Sequence, residues 1–216
     1  QTWGITRADD GMLYFGNTRY GIQESDGLSW RNIGMEKNSA ALSFAKHEDG
    51  TIFVGGQNDF GYLKRDTLLR RSYTSLAYLL PDSIANIKNV EFTFLQGNQV
   101  HFISPDVLYI YSDGDISWKR NTTPIYSAAQ WHNSIATLDS NGKIVRTIEG
   151  SAFTIPPPNT KAKPIKLSAS ENRLFMLDEH FVIWELNESN SWLRLLNLSK
   201  DISESSLIIK DFLWSQ

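Results

Sequence analysis

The feature that most constrains the fold of this chain is a repeat of short apolar segments with a period near 40 residues. The first two copies, residues 3–33 and 41–76, both contain a short apolar segment, an Asp-Gly turn and three further apolar segments. The turn glycines Gly11 and Gly50 are 39 residues apart. Weaker copies follow, with turns that lie 35 and 39 residues apart at Asn98, Asn133 and Asn172. Repetition at a fixed period of this length indicates a repeat architecture.

Each copy holds four segments of about four to six residues, which is the length of a short β-strand. Glycine, asparagine and aspartate separate the segments, as expected for tight turns. A helical solenoid would show an apolar period of about 3.6 residues, which these segments lack. The sequence therefore predicts an all-β chain of about five four-stranded antiparallel β-propeller blades, followed by the start of a sixth. Aromatic residues make up 12% of the chain, which suits many half-buried strands.

We call the strands of each blade A to D, from the propeller axis outward. Residues 76–87 contain Pro81 and are interpreted as a long loop between blades with one helical turn. Trp30, Trp118 and Trp192 fall on D strands and are expected to pack between blades. The whole of 1–216 is predicted to be a single propeller fragment. Its predicted blades are 1–37, 38–85, 86–122, 123–160 and 161–200, with 201–216 beginning the next one.

Composition excludes several functional classes. The chain has 21 Lys plus Arg and 24 Asp plus Glu, so it lacks the basic excess that a nucleic-acid or anionic-membrane surface needs. The absence of cysteine excludes disulfides, thiolate zinc sites and cysteine nucleophiles. Its 4 histidines show no metal-ligand spacing. We therefore expect no metal, no cofactor and no nucleic-acid partner.

The first two copies resemble the two-component regulator propeller repeat. The resemblance rests on Trp3-Gly4-Ile5 with residues 9–30, DDGMLYFGNTRYGIQESDGLSW, and on residues 53–63, FVGGQNDFGYL. It covers residues 3–76, and over 90–216 only the architecture is similar. The resemblance implies an extracytoplasmic, periplasmic input domain of a bacterial sensor of the Bacteroidetes type. In that family tandem propellers precede a triple-tyrosine β-sandwich, a transmembrane helix, and a histidine kinase or transcription-factor output.

The resemblance further implies a propeller of about seven blades, of which this chain would be a fragment. Two alternatives remain at this stage: the chain is cut before the ring closes, or it closes early as a smaller ring. The resemblance also implies a membrane-anchored parent protein and a propeller that mediates dimerisation, so a homodimer is expected.

The predicted ligand site lies on the face built from the B–C and D–A loops. Rings, amides and charges suit a small-molecule or oligosaccharide ligand, because a ring stacks on it while amides form hydrogen bonds. Gly16 and Gly55 end the preceding strands and are expected to let the backbone turn sharply. The alternative interpretation is that the rings pack between blades and the polar residues shape turns. The predicted site residues are Arg19, Tyr20, Gln57, Asn58, Asp59 and Phe60.

Two other functions compete with ligand sensing. A propeller glycosidase or lyase needs at least two carboxylates near the axis, and only Glu91 and Asp211 fall on predicted A strands. A propeller can also serve purely as a protein–protein or dimerisation platform, since fold does not determine function. We predict a sensing segment without catalytic activity of its own.

Overall fold

The computed structural model describes residues 2–65, 70–84, 86–158, 161–170, 172–187 and 189–198. These residues form 20 strands in five sheets of four, and the strands of every sheet pair antiparallel in chain order. The predicted all-β fold of four-stranded propeller blades is confirmed. Two compact units divide the chain, residues 1–122 and residues 123–216. Residues 201–216, where the predicted sixth blade would start, lie outside the described residues.

The first unit contains three sheets. The strands of the first are β1 (Thr2–Arg7), β2 (Leu13–Asn17), β3 (Gly21–Ser25) and β4 (Trp30–Ile33). Those of the second are β5 (Ala41–Lys46), β6 (Ile52–Gly56), β7 (Phe60–Arg65) and β8 (Arg71–Ser75). Those of the third are β9 (Phe92–Gln96), β10 (Gln99–Ile103), β11 (Val107–Ser112) and β12 (Asp115–Arg120).

The second unit contains two sheets. The strands of the first are β13 (Ile125–Trp131), β14 (Ser134–Asp139), β15 (Ile144–Ile148) and β16 (Ser151–Ile155). Those of the second are β17 (Pro164–Ser170), β18 (Arg173–Asp178), β19 (Val182–Leu186) and β20 (Trp192–Asn197). Leu138 and Ile144 of the first sheet pack against Leu167, Leu174 and Met176 of the second, so apolar side chains join the two sheets face to face.

Strand β6 shows why the middle strands of a blade read as unbroken apolar runs. All five of its residues are buried, because a neighbouring blade covers each face of the sheet. Ile52 and Val54 pack with Tyr14 of the first blade, whereas Phe53 packs with Phe102 of the third. Successive side chains point to opposite faces of a strand, so each face must be apolar. The unbroken apolar sequence of β6 therefore reflects its contacts with two neighbouring blades rather than one.

The connection from β8 to β9 forms part of the core. It contains one short 3₁₀ turn, Ala77–Leu79, as predicted for residues 76–87. Its remaining described residues have no regular structure. The buried side chains of this connection join the core between the second and third blades: Leu76, Leu80, Ile84, Ile87 and Val90.

The prediction that all three outer-strand tryptophans pack between blades is wrong for two of them. The exposed fraction is 61% for Trp30 and 42% for Trp118, because an outermost strand has fewer covering neighbours. The ring of Trp30 contacts Phe15 of its own blade, with centroids 5.1 Å apart. Trp192 does pack between blades, and its Nε1 donates a hydrogen bond of 2.8 Å to the Pro156 carbonyl.

Candidate functional site

The B–C loop of the first blade is an exposed turn held by Asn17. The side-chain oxygen of Asn17 accepts hydrogen bonds from the backbone amides of Arg19 and Tyr20, at 2.8 and 3.3 Å. The guanidinium of Arg19 lies 5.4 Å from the centre of the Tyr20 ring. Tyr20 is 41% exposed, so both predicted site residues of this loop are accessible.

The B–C loop of the second blade is half exposed and half buried. Gln57 and Asn58 are exposed, and Asn58 has a left-handed backbone with φ of 61°. Phe60 is completely buried, with ring centroids 4.6 Å from Phe102 and 4.8 Å from Tyr109. Phe60 is therefore a core residue between the second and third blades. Its burial supports the packing interpretation and leaves no surface for a ligand.

Asp59 is also buried, and donors surround its carboxylate. The oxygens accept hydrogen bonds from Ser75 Oγ at 2.6 Å, from Tyr73 OH at 2.9 Å and from the Phe60 amide at 2.9 Å. Burial raises the pKa of Asp59 despite these hydrogen bonds. The residue thus ties the B–C corner of the second blade to its outer strand β8.

A cleft of about 560 Å³ opens on this predicted face and includes Asp59. Glu36, Lys37, Tyr73 and Tyr78 also line it, together with Thr74, Ser75 and Ala77. Of the six predicted site residues only Asp59 lines this cleft. Among the described residues, no hydrogen bond or ring contact joins the two B–C loops. The structure therefore does not bring the predicted residues into one pocket.

Gly16 and Gly55 are needed for a different reason from the one predicted. Neither has a positive φ. A Cβ placed on Gly16 would lie 2.5 Å from the carbonyl oxygen of Ala41 in the next blade. One placed on Gly55 would lie 2.5 Å from Ser43 Oγ and 2.6 Å from Thr93 Oγ1. Glycine here permits close approach of blades rather than a sharp turn.

A larger cleft, which we call the turn-face cleft, lies at the opposite edge of the same unit. Its volume is about 860 Å³. It is lined by the A–B turns of all three blades of this unit, by the end of β7 and the start of β8, and by the C–D turn of the third blade. The residues that line it are Asp9, Asp10, His47, Asp49, Gly50, Thr51, Phe53, Tyr62, Leu63, Lys64, Arg65, Arg71, Asn98, Val100, Tyr111 and Asp113.

Charged side chains are concentrated where the first two blades meet in this cleft. Lys46 forms an ion pair with Asp9, and Arg65 forms one with Asp10. The Lys46 ammonium lowers the pKa of Asp9. His47 Nδ1 lies 2.9 Å from Asp49 Oδ1, and the hydrogen bond from the Thr51 amide lowers the pKa of Asp49. Because their pKa values are lowered, Asp9 and Asp49 are ionised at neutral pH and can accept hydrogen bonds.

An aromatic wall lines the cleft where the second and third blades meet. The ring of Phe53 is 6.1 Å from Tyr62 and 5.8 Å from Tyr111, measured between centroids. Burial raises the pKa of Tyr111, so its hydroxyl stays protonated and can donate. Rings beside carboxylates and guanidinium groups form a surface for polar ligands with an apolar face, such as saccharides.

The sequence pattern predicts that the acidic residues beside Gly11 and Gly50 form turns. That role is real, since Gly11 and Gly50 have φ of 87° and 83° in the A–B turns. The side chains of Asp9, Asp10 and Asp49 nevertheless project into one cleft. The available signal was the recurrence of acidic A–B turns in adjacent blades, at equivalent positions of the repeat.

Of the two carboxylates considered for a glycosidase, Glu91 is exposed and precedes β9. The other, Asp211, lies outside the described residues. No group of three metal-ligating side chains occurs in the described part of the chain. Nor does any described helix have the length and apolarity to cross a membrane.

No family model and no curated protein matches this sequence. Solved structures do match its fold. A catalytically inactive variant of virginiamycin B lyase from Staphylococcus aureus, with quinupristin, has a TM-score of 0.69 at 16% identity, over 89% of this chain and 69% of that one. YCF48 from Cyanidioschyzon merolae gives a TM-score of 0.67 at 14% identity, over 89% and 71%.

A third similar structure is the extracellular domain of a putative hybrid two-component system from Bacteroides thetaiotaomicron. Its TM-score is 0.65 at 18% identity, over 89% of this chain and 27% of that one. At these identities the similarity shows a shared β-propeller fold. The chain spans about a quarter of that extracellular domain.

Proposed function

We propose that this chain is an extracytoplasmic, periplasmic ligand-sensing propeller segment of a bacterial two-component-type regulator. The turn-face cleft is the observation that carries the proposal, because it combines a volume of about 860 Å³ with rings, carboxylates and cations. The sequence resemblance over residues 3–76 and the fold shared with a two-component extracellular domain support the signalling context. The proposed parent protein is anchored in the membrane.

The proposed ligand is a small polar molecule of the saccharide class. Hydroxyl groups donate to ionised carboxylates, and the apolar face of a sugar ring stacks on an aromatic ring. In the turn-face cleft Asp49, Asn98 and Asp113 supply polar groups, while Tyr62 and Tyr111 supply rings. The predicted B–C face offers less, because Asp59 is already saturated by donors and Phe60 is inaccessible.

A thermal-shift screen with a panel of neutral and acidic oligosaccharides tests this function. A ligand should raise the melting temperature further as its concentration increases above Kd, because the stabilisation grows with the logarithm of ligand concentration. The double variant Asn98→Ala/Asp113→Asn should abolish the response; asparagine at 113 keeps the left-handed backbone, whose φ is 52°. The control variant Gln57→Ala/Asn58→Gly, on the other face, should respond like the wild type. The reverse pattern would move the site to the B–C loops, and no response to any glycan would contradict a saccharide ligand.

We propose that the segment binds without catalysing a reaction. The side chains that come nearest to a catalytic arrangement are His47 and Asp49, which lie together in the cleft. Incubation of the protein with glycans that bind it, followed by chromatography of the products, tests this point. Turnover that is lost in His47→Ala would overturn the proposal and favour a propeller lyase or hydrolase.

A dimerisation platform is the second candidate function, and the second unit supplies the observation that favours it. The outer strand β20 exposes Leu193, Leu195 and Leu196 by 52%, 41% and 49%, and β16 exposes Phe153 by 55%. Clustered exposed apolar side chains are typical of protein–protein contacts. Light scattering across a concentration series should show a homodimer that Leu193→Lys/Leu196→Lys dissociates. A monomer at every concentration would remove this candidate.

A further inference from the structure

Arg71 is an unusual residue of the turn-face cleft because its charge is almost completely buried. It is the first residue of β8, and its side chain is only 6% exposed. Its guanidinium lies 5.4 Å from the centre of the Tyr14 ring, and its carbonyl accepts a hydrogen bond of 2.9 Å from Arg31 Nη2. The ring and the backbone bond hold Arg71 at the wall of the cleft.

The counter-charge of Arg71 is shared. Asp10 forms its close ion pair with Arg65, and Arg71 Nη2 stays 3.8 Å from the same carboxylate. Arg71 Nη1 is buried and has no hydrogen-bond partner. Two guanidinium groups therefore face the Asp10 carboxylate. The charge of Arg71 also acts on Asp9, but that carboxylate forms its ion pair with Lys46. A buried guanidinium that lacks a full set of acceptors is costly, and an added anion would relieve that cost.

Two other acidic residues of the cleft have donors of their own. Asp9 has Lys46 as its own partner, and Asp49 has His47 and the Thr51 amide. The carboxylate of Asp59, in the smaller cleft, accepts three hydrogen bonds. Among the described clefts, the end lined by Arg65 and Arg71 is thus where a buried donor lacks an acceptor.

We propose that Arg71, with Arg65, binds an oxyanion of the ligand, a carboxylate or a sulfate. This inference rests on the proposed function and specifies its ligand class as an acidic saccharide. A planar guanidinium suits such a group because two N–H bonds can point at two oxygens. Asp10 already engages Arg65 and lies near Arg71 Nη2. The ligand oxyanion would therefore accept hydrogen bonds from the remaining guanidinium N–H groups. Asp113 and Asn98 would then receive the sugar hydroxyls at the other end of the cleft.

Oligogalacturonate and its methyl ester form the matched pair, since they differ only in the charged group. A sulfated galactan oligosaccharide, which has a different sugar chain, presents a sulfate instead of a carboxylate. Each probe is titrated calorimetrically into the full chain at low salt. We expect binding of the free acid or of the sulfate ester, and whichever binds identifies the oxyanion. The methyl ester should bind at least about tenfold more weakly, since a charge-assisted pair is lost. Added salt should weaken binding of the acid.

Three variants assign the donors. Arg71→Met should lose binding by at least about tenfold, and Arg71→Lys should recover only part of it because the fork is absent. Arg65→Met removes the second proposed donor to the oxyanion. Because the Arg65 side chain is 43% exposed, this variant should fold even if Arg71→Met does not. Arg173→Met is the matched control, because Arg173 pairs with Glu185 in the other unit.

Three results would each overturn the inference. The first is binding of the free acid and the methyl ester with equal affinity; in that case a ligand occupies the protein and the proposed function stands without an oxyanion site. The second is the absence of binding by both acidic probes, which refutes the oxyanion site whatever the neutral-glycan screen shows. The third is binding of the acid that is unchanged in both Arg71→Met and Arg65→Met.

Discussion

The B–C connections of the first two blades look alike in sequence and differ in structure. Tyr20-Gly21 and Phe60-Gly61 align by eye, yet Tyr20 is exposed whereas Phe60 is buried. The strand register explains the difference. Gly16 pairs with Ile22 in the first blade, whereas Gly55 pairs with Phe60 in the second. The structural equivalent of Phe60 is therefore Ile22, which is also fully buried.

The first connection is one residue longer than the second between these paired positions, with 5 against 4 intervening residues. The extra residue places Tyr20 in the turn, where Asn17 holds the backbone. In a repeat protein, the burial of a residue thus follows its pairing position in the sheet and not its place in the aligned sequence motif. The reason is that a shift of one residue moves a side chain to the other face of the strand.

The largest test of this equivalence is truncation at the paired positions. Phe60→Ala should lower the free energy of unfolding by about 3–5 kcal/mol, since it empties a packed aromatic site. Ile22→Ala should cost about 2–5 kcal/mol for the same reason. Urea denaturation monitored by tryptophan fluorescence measures both. A cost for Ile22→Ala below that of Tyr20→Ala would break the equivalence.

The two close-approach glycines should respond next most strongly. Gly16→Ala and Gly55→Ala each force a methyl group against the neighbouring blade and should cost about 1–3 kcal/mol by overpacking. Gly34→Ala is the control, because a Cβ there meets nothing within 4 Å and its φ is not positive. Thermal unfolding compares the three variants. Equal melting temperatures would show that the blades separate freely at this point.

Asp59 distinguishes the second connection from the first, where Gly21 precedes the paired residue. Asp59→Ala leaves the hydroxyls of Tyr73 and Ser75 without their hydrogen-bond acceptor. It should lower the free energy of unfolding by about 1–2 kcal/mol at neutral pH. Because burial raises its pKa, the folded protein keeps the Asp59 proton at pH values where the unfolded chain has lost it. Its contribution is complete below the unfolded pKa and declines as the pH rises through the raised folded pKa. The difference in unfolding free energy between wild type and Asp59→Ala should therefore decrease as the pH rises from the unfolded pKa to the raised folded pKa of Asp59.

The smallest effect is expected at Tyr20. Tyr20→Ala should change the free energy of unfolding by less than about 0.5 kcal/mol, since the residue lies at the surface and its ring packs beside the exposed guanidinium of Arg19. The same denaturation series measures it. If Tyr20→Ala lowered the unfolding free energy nearly as much as Phe60→Ala, Tyr20 and not Ile22 would be the equivalent of Phe60.

Much of the fold could be predicted because turns and strand lengths are local properties. Gly11 and Gly50 mark A–B turns that any reader of the sequence can place. The site could not be predicted in the same way. The burial of Phe60 depends on Phe102 and Tyr109, about 40–50 residues away, and the turn-face cleft depends on side chains from three blades. Turn residues such as Asp10 serve two purposes, and only the first is visible locally.

The contact at Gly16 also sets the geometry of the first unit. There the backbone of one blade rests on the backbone of the next, so the spacing between them at that end is fixed by two main chains, whatever side chains fill the remainder. The turn-face cleft lies at the far ends of the same strands. A side chain added at Gly16 would push the two backbones apart at this end. It would thereby tilt the second blade relative to the first and change the width of the cleft in which Arg65 and Arg71 lie.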